Sequence, residues 1–467
     1  MVSALDPRAA LTACQRFGLG ARPGDLAEAA RDPRGFVQAD LGRIPQIGTD
    51  LPSTAAALAQ LFDDQERVKA ERQRPATNPP AEDRMMEPGA ASKPADMSVG
   101  PKIFRAEAVA RLKAHIRAEV GFVERLVAFW SNHFAVSVSK GPFLRVTAGA
   151  FEREAIRPHV LGRFADMLRA VERHPAMLHY LDNQKSVGPN SRAGRNRDKG
   201  LNENLAREIL ELHTLGVGGG YRQADVTALA RIITGWTIPG RNANQGEPGQ
   251  FFFNANTHEP GAQTVLARRY GQEGEAQGEA VLTDLANAPA TAQHVATKLV
   301  RHFVADQPPP RLVDRLAKLF LSSGGDLKAV ALALIRDDEA WAAPATKLRS
   351  PQEYLVAMLR ATGTGSADPG FVLNSLQALG HPLWQPVSPA GFPDTVTAWA
   401  TPEAMKLRLD IAFAVAGKVG ANRSAMDVLD QCLGSAASVE TRDAVAHAET
   451  RQQALAILFM SPEFQRR

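Results

Sequence analysis

The chain has 467 residues, with 44% hydrophobic and 6% aromatic residues, and 54 Lys and Arg against 50 Asp and Glu for a formal net charge of +4. That is ample for a core and has the composition of an ordinary soluble globular protein, with room for two or three domains or one large helical body. So nearly balanced a charge excludes an electrostatic argument for nucleic acid, and with Cys14 and Cys432 the only cysteines, spacing supplies neither a disulfide framework nor a thiolate metal site.

The opening segment MVSALDPRAALTACQRFGLG carries Asp6 and Arg8 and no apolar h-region. No run approaches the roughly 18 apolar residues of a membrane span. Neither a signal peptide nor a membrane span is therefore expected, and the chain as written reads as cytoplasmic. Helical periodicity runs over 54–72 and 104–138. The stretch between them, 73–102, is rich in Pro, Ala and charge and poor in branched apolar residues, which predicts a flexible insertion.

Helices are predicted over 142–157, 162–181, 201–215 and 223–234, each bounded by Gly, Pro or Asn. The Gly/Asn-rich segment 238–264, containing FFFNANTHEPG, reads as a long loop with room for a small β hairpin. Further helices are expected over 278–304, 311–336, 351–362, 370–379, 402–418 and 440–460. LKAVALALIRDDEAW and QQALAILFMSPEFQ end alike, in an acid and an aromatic residue, but no fixed period runs through the rest. Strands do not alternate with helices, and neither a glycine-rich nucleotide fingerprint nor a nucleophile elbow is present. The fold class expected is mainly α, a large helical fold with long loops.

In LNENLAREILELHTLG, about 100° per residue puts Leu201, Leu205, Leu212 and Leu215 on one side of a helix with Ile209 at its edge. Glu208 falls in the middle of that stripe, bordered by Asn204 and Glu211. A buried carboxylate must be paired, hydrogen-bonded, metal-bound or protonated, so Glu208 is either a site residue or half of a buried structural pair. The i,i+4 pairs Glu203–Arg207 and Arg207–Glu211 account for the outer charges, with Asn202 as N-cap and Gly216 past the end.

In GFVERLVAFWSNHF, Phe122, Leu126, Phe129 and His133 share a stripe, so His133 faces the core, where a lone histidine is more often structural. Trp130 and Asn132 flank it, and Glu124 reads as a solvated neighbour. His213 lies about 140° around an ideal helix from Glu208, which rules out one helix giving both ligands to one ion. A metal would need His133, Asp182, His258 or Glu259 from other segments, a donor set that suits several divalent ions. The basic loop 185–200, with Lys185, Arg192, Arg195, Arg197 and Lys199, reads as a solvated charge run or as an anion-gathering lid over Glu208.

The ordered set QRFGLGARPG, FWSNHFAVS, HPAMLHYLD, NENLAREILELHTLGVGGGY, RIITGW, THEPGAQTVL, ATKLVRHFV and a terminal SPEFQ resembles the bacterial family DUF1800, a domain of unknown function, over nearly the full chain. The resemblance implies one helical domain over 1–467, relatives that are commonly exported, and genes often beside a sulfatase-like family. Its characteristic polar positions fall on Asn132, His133, Asp182, Asn202, Glu203, Asn204, Arg207, Glu208, Glu211 and His258. It also implies an aromatic residue where His213 stands, which sets His213 outside the expected site, and an Asp in place of Glu259.

Two functional readings follow. In the first, Glu208 is general base or ligand and His133 its acid–base partner, with Asn132, Asp182, Asn202, Glu203, Asn204, Arg207 and Glu211 binding a small polar or anionic ligand. His258 would join them as a candidate divalent-metal ligand, and the chemistry would be that of a hydrolase or transferase. In the second, the same residues form a buried network in a noncatalytic accessory or assembly protein for a sulfatase-like partner. A His133–Glu208 cluster open to solvent favours the first; a sealed network beneath a large exposed apolar patch favours the second.

Overall fold

The computed structural model describes residues 6–467 other than 43, 74–97, 197–199, 242, 365–367 and 420–422. Its regular structure is overwhelmingly helical, as the periodicity requires. Where one hairpin was expected there are two short antiparallel pairs, Trp236–Thr237 with Phe252–Phe253 and Gln263–Val265 with Arg268–Tyr270. Most of the 73–102 insertion lies outside the described residues; Gln73 closes the Thr54–Gln73 helix and Val99 opens the Val99–Arg117 helix. No helix among the described residues is long and apolar enough to cross a membrane.

Several predicted helices are each two helices. The 162–181 segment divides into Phe164–Glu172 and Pro175–Tyr180, and 278–304 into Glu275–Ala286 and Pro289–Phe303. In each pair the second begins with a proline, whose missing N–H is harmless in the first turn and would break a continuous helix. The 311–336 segment divides at Gly324 and Gly325, whose φ values of +64° and +74° only glycine adopts cheaply.

One continuous core reaches from Ala10 to Phe464, with a satellite of Ala57, Leu58, Leu61, Ile103 and Val146 beneath the Thr54–Gln73 helix. The Phe122–His133 helix runs through the middle and is buried nearly all round. Glu124, expected to be solvated, is instead buried and receives both Arg157 terminal nitrogens at 2.7 and 2.8 Å. Burial makes such a pair obligatory, because neither ion could stay charged there alone. Trp130 on the same helix packs its ring against Phe134 and Phe164. This rigid central helix delivers Asn132 and His133 to a cavity at its C-terminal end.

Candidate functional site

The cavity, of about 340 Å³, lies between the end of the Phe122–His133 helix, the last turns of the Pro289–Phe303 helix, the start of the Pro351–Ala361 helix and the 381–395 loop. It is strongly cationic. Arg125, Lys298, Arg301 and His302 line it against Glu353 and Asp394.

Both acids are already neutralised. Glu353 takes Arg125 Nη2 at 3.0 Å and Arg467 Nη2 at 3.1 Å. Burial alone would raise its pKa, but Arg467 and Arg125 overcome that and hold the carboxyl well below the ordinary range. Asp394 takes His302 Nδ1 at 2.8 Å and Lys347 Nζ at 3.2 Å. There too burial pushes up, and His302, Lys347 and Arg467 bring the pKa down to about 2. Lys298 and Arg301 have no carboxylate partner among the described residues, so the positive charge of the cavity is in excess. Burial lowers the Lys298 pKa to about 8, which leaves the ammonium mostly protonated at neutral pH.

His302 has a definite tautomer. Arg125 Nη2 lies 3.3 Å from its Nε2, and a guanidinium can only donate, so Nε2 accepts and the proton sits on Nδ1, donated to Asp394. Burial lowers its pKa, against the pull of Asp394, so the ring stays neutral.

The 381–395 loop is fastened to the central helix. The Asn132 carboxamide spans the Phe392 backbone, Nδ2 donating to the carbonyl at 2.9 Å and Oδ1 accepting the amide at 2.7 Å. Close approach there requires Gly391, at φ +81°, where a Cβ would sit 2.3 Å from the Asn132 carbonyl oxygen. Val138 N donates to Trp384 O at 2.9 Å and Ser137 Oγ to Pro386 O at 2.9 Å. These bonds set Asp394 opposite His302.

His133 lines the same cavity. Its Nε2 donates to the His213 carbonyl at 3.1 Å, and its buried Nδ1 has no partner. Burial, with Lys298 nearby, holds its pKa well below the ordinary value. Of the residues expected from sequence, the cavity thus collects Asn132 and His133.

The others stand elsewhere. The 201–215 helix is α only over Asn204–Glu208 and π over Ile209–Thr214, with Leu215 N bonded to Leu210 O at 3.1 Å. An i→i−5 turn breaks the 100° phase. Leu212 and Glu208 end half-buried, and His213 turns fully inward onto Glu172, Nδ1 to Oε1 at 2.8 Å. His213, set aside on the resemblance, is thus the ring beside His133, with centroids 6.3 Å apart. Glu208 makes no hydrogen bond among the described residues and does not line the cavity; burial raises its pKa, opposed by His213.

Glu203 is a strut to the Gln223–Ile232 helix, accepting Thr227 Oγ1 and Gln223 Nε2 at 2.7 Å each, with Arg207 at 3.3 Å. Glu211 accepts the Tyr221 hydroxyl at 2.9 Å, not Arg207, because the π turn carries it round the helix. The helix N-cap is Glu203 rather than Asn202, whose Oδ1 accepts the Asn204 amide at 2.9 Å. Asp182, at φ +58°, pairs with Lys140 and Lys185 at 2.5 and 2.8 Å. His258 Nδ1 donates to Thr234 O at 2.9 Å. Glu259 is buried and holds the basic loop through Asn190 N and Nδ2, at 2.8 and 2.5 Å. Arg197 and Lys199 of that loop lie outside the described residues. No three His, Cys, Asp or Glu side chains converge as a metal site among the described residues.

An unpartnered, half-buried carboxylate opposes folding at neutral pH. Its raised folded pKa means that its contribution is favourable only in acid and is lost as pH rises through the folded value. Glu208→Gln is expected to leave stability unchanged or raise it by up to about 1 kcal/mol; a clear drop in the urea midpoint would reveal a partner for Glu208.

Sequence reasoning missed Lys298, Arg301, His302, Glu353 and Asp394. One signal was available: His294, Lys298 and His302 recur every four residues, a basic ridge along a helix whose other face is apolar.

The family whose model matches the chain is described as "Protein of unknown function (DUF1800)", and the match spans residues 12–466. A comparison with curated proteins found no match, and one with solved structures found none.

Proposed function

Starting from the premise that the chain belongs to the DUF1800 family of proteins of unknown function, we propose that it binds a small anionic ligand in the cavity beside the 381–395 loop. The observation that carries this is the excess of cation: every carboxylate lining the cavity is matched, while Lys298 and Arg301 have no carboxylate partner among the described residues. A ligand that supplies the missing charge recovers a charge-assisted hydrogen bond in a half-buried setting. The Asp394 side chain, 30% exposed, marks the solvent-side opening. Proton transfer is secondary in this reading. His302, oriented by Asp394, replaces Glu208 and His133 as the acid–base candidate for a hydrolase or transferase, but its lone pair already accepts from Arg125.

The rival accessory role for a sulfatase-like partner needs a contiguous apolar patch. Large exposed apolar side chains such as Val217, Val387 and Val439 are spread along the chain, and only Leu409 and Phe413 share a helix face. That distribution favours ligand binding.

Thermal-shift and calorimetric titrations with inorganic phosphate, sulfate and acetate test the reading. Saturable stabilisation following ligand concentration is expected for the unmodified protein. Lys298→Met is expected to weaken the anion by about tenfold, one charge-assisted bond. Affinity should also fall as pH rises through about 8, where Lys298 loses its proton. Equal binding by both proteins at all pH values would place the anion elsewhere.

A further inference from the structure

A second cavity, of about 30 Å³, adjoins the first. Arg111, His115, Gln352, Val356 and Leu383 line both, so the two are continuous. Beyond that junction the walls are hydrocarbon, with Leu112, Leu355, Val372 and Leu376 facing the void.

The junction holds no spare charge. Arg111 Nε lies 2.9 Å from both oxygens of buried Glu152, and its Nη1 donates to Gln352 Oε1 at 2.9 Å. Gln352 Nε2 donates in turn to His115 Nδ1 at 3.1 Å. An acidic group placed there would meet only donors already in use, whereas a hydrocarbon would lie against leucine, valine and the arginine stem. Lys298 and Arg301 line the large cavity only. The combined space is therefore polarised, with unpaired cations at one end and a small apolar recess at the other. An empty apolar recess forfeits dispersion contacts that a ligand carbon restores.

We infer that the ligand is an anionic amphiphile: a phosphate or carboxylate head held by Lys298 and Arg301, carrying a short hydrocarbon arm that ends in the recess between Val372, Leu376 and Leu383. This rests on the anion-binding reading above. The recess sets the length, since 30 Å³ accommodates roughly one or two water-sized groups.

Calorimetry with inorganic phosphate and with methyl, ethyl, propyl, butyl, hexyl and octyl phosphate tests it, with matched n-alkyl carboxylates as a second series. Affinity is expected to rise by about fourfold per carbon as the chain enters the recess, and then to level off. Val372→Leu, which adds a carbon to the recess wall, should shorten that rise by about one carbon. It should leave inorganic phosphate unaffected, which also reports that the variant is folded. A flat series on top of retained phosphate binding overturns the amphiphile and spares the anion site. A rise continuing through octyl, as for a lipid chain, overturns the short arm, and so does a rise indifferent to Val372→Leu. Failure of every probe to bind overturns the anion reading itself.

Discussion

Glu353→Gln should lower stability by about 3–5 kcal/mol, the cost of removing one partner from a buried ion cluster. Glu353 is 12% exposed and lies between Arg125, 1% exposed, and Arg467, 2% exposed. Glutamine keeps the volume and can keep accepting the Ser350 amide, now 2.8 Å from Glu353 Oε2. It removes the charge that makes two buried guanidiniums tolerable. Its pH dependence has a definite sign. Because the folded pKa is depressed, the contribution is complete above the ordinary carboxylate range and is lost as pH falls through the folded value. Urea unfolding at pH 7 and in acid should therefore show a large gap between the two proteins that narrows on acidification. A gap that is small at pH 7 would mean that water, rather than Glu353, compensates the arginines.

Asp394→Asn should move stability and ligand affinity in opposite directions. The carboxylate orients His302 and shares Lys347 with Asp306, which lies 2.8 Å from Lys347 Nζ. With Asp306 still in place, the loss is expected to be about 2 kcal/mol, less than for Glu353. Asparagine Oδ1 can still accept from His302 Nδ1, so the loop keeps its place. The net charge of the cavity rises by one. An anion should then bind several-fold tighter, whereas a general-acid or general-base role for His302 would be impaired. Titration with inorganic phosphate separates these outcomes. Weakened phosphate binding in a folded Asp394→Asn protein would show that Asp394 acts by positioning a donor and not by its charge.

Much of the helical fold was legible because it follows from local chemistry. Apolar spacing marked the helices, and Pro175 and Pro289 also carried their breaks, since proline suits only the first turn of a new helix. His133 was correctly placed facing inward by its stripe with Phe122, Leu126 and Phe129. The 201–215 segment failed for a reason that periodicity cannot supply. The bond from Leu215 N to Leu210 O belongs to a π turn, stabilised further by Thr214 Oγ1 donating to Ile209 O at 2.5 Å. One extra residue in the turn rotates all that follows, which withdraws Glu208 from the core and substitutes His213.

By itself, the sequence determined the mainly helical class, the family, and the inward course of the FWSNH helix. Each depends on patterns that survive within a few turns of chain or in the order of motifs. Only the tertiary structure decided where the charges meet. Arg125 joins Glu353, His302 joins Asp394, and Lys298 is left without a carboxylate partner among the described residues, through contacts spanning up to 228 positions along the chain (353 − 125 = 228). A charge's effect in a folded protein depends on burial and on its partners, and neither is encoded in the residue or its immediate neighbours. Glu124, Arg125 and Glu353 look like surface residues in sequence, and packing makes them the interior.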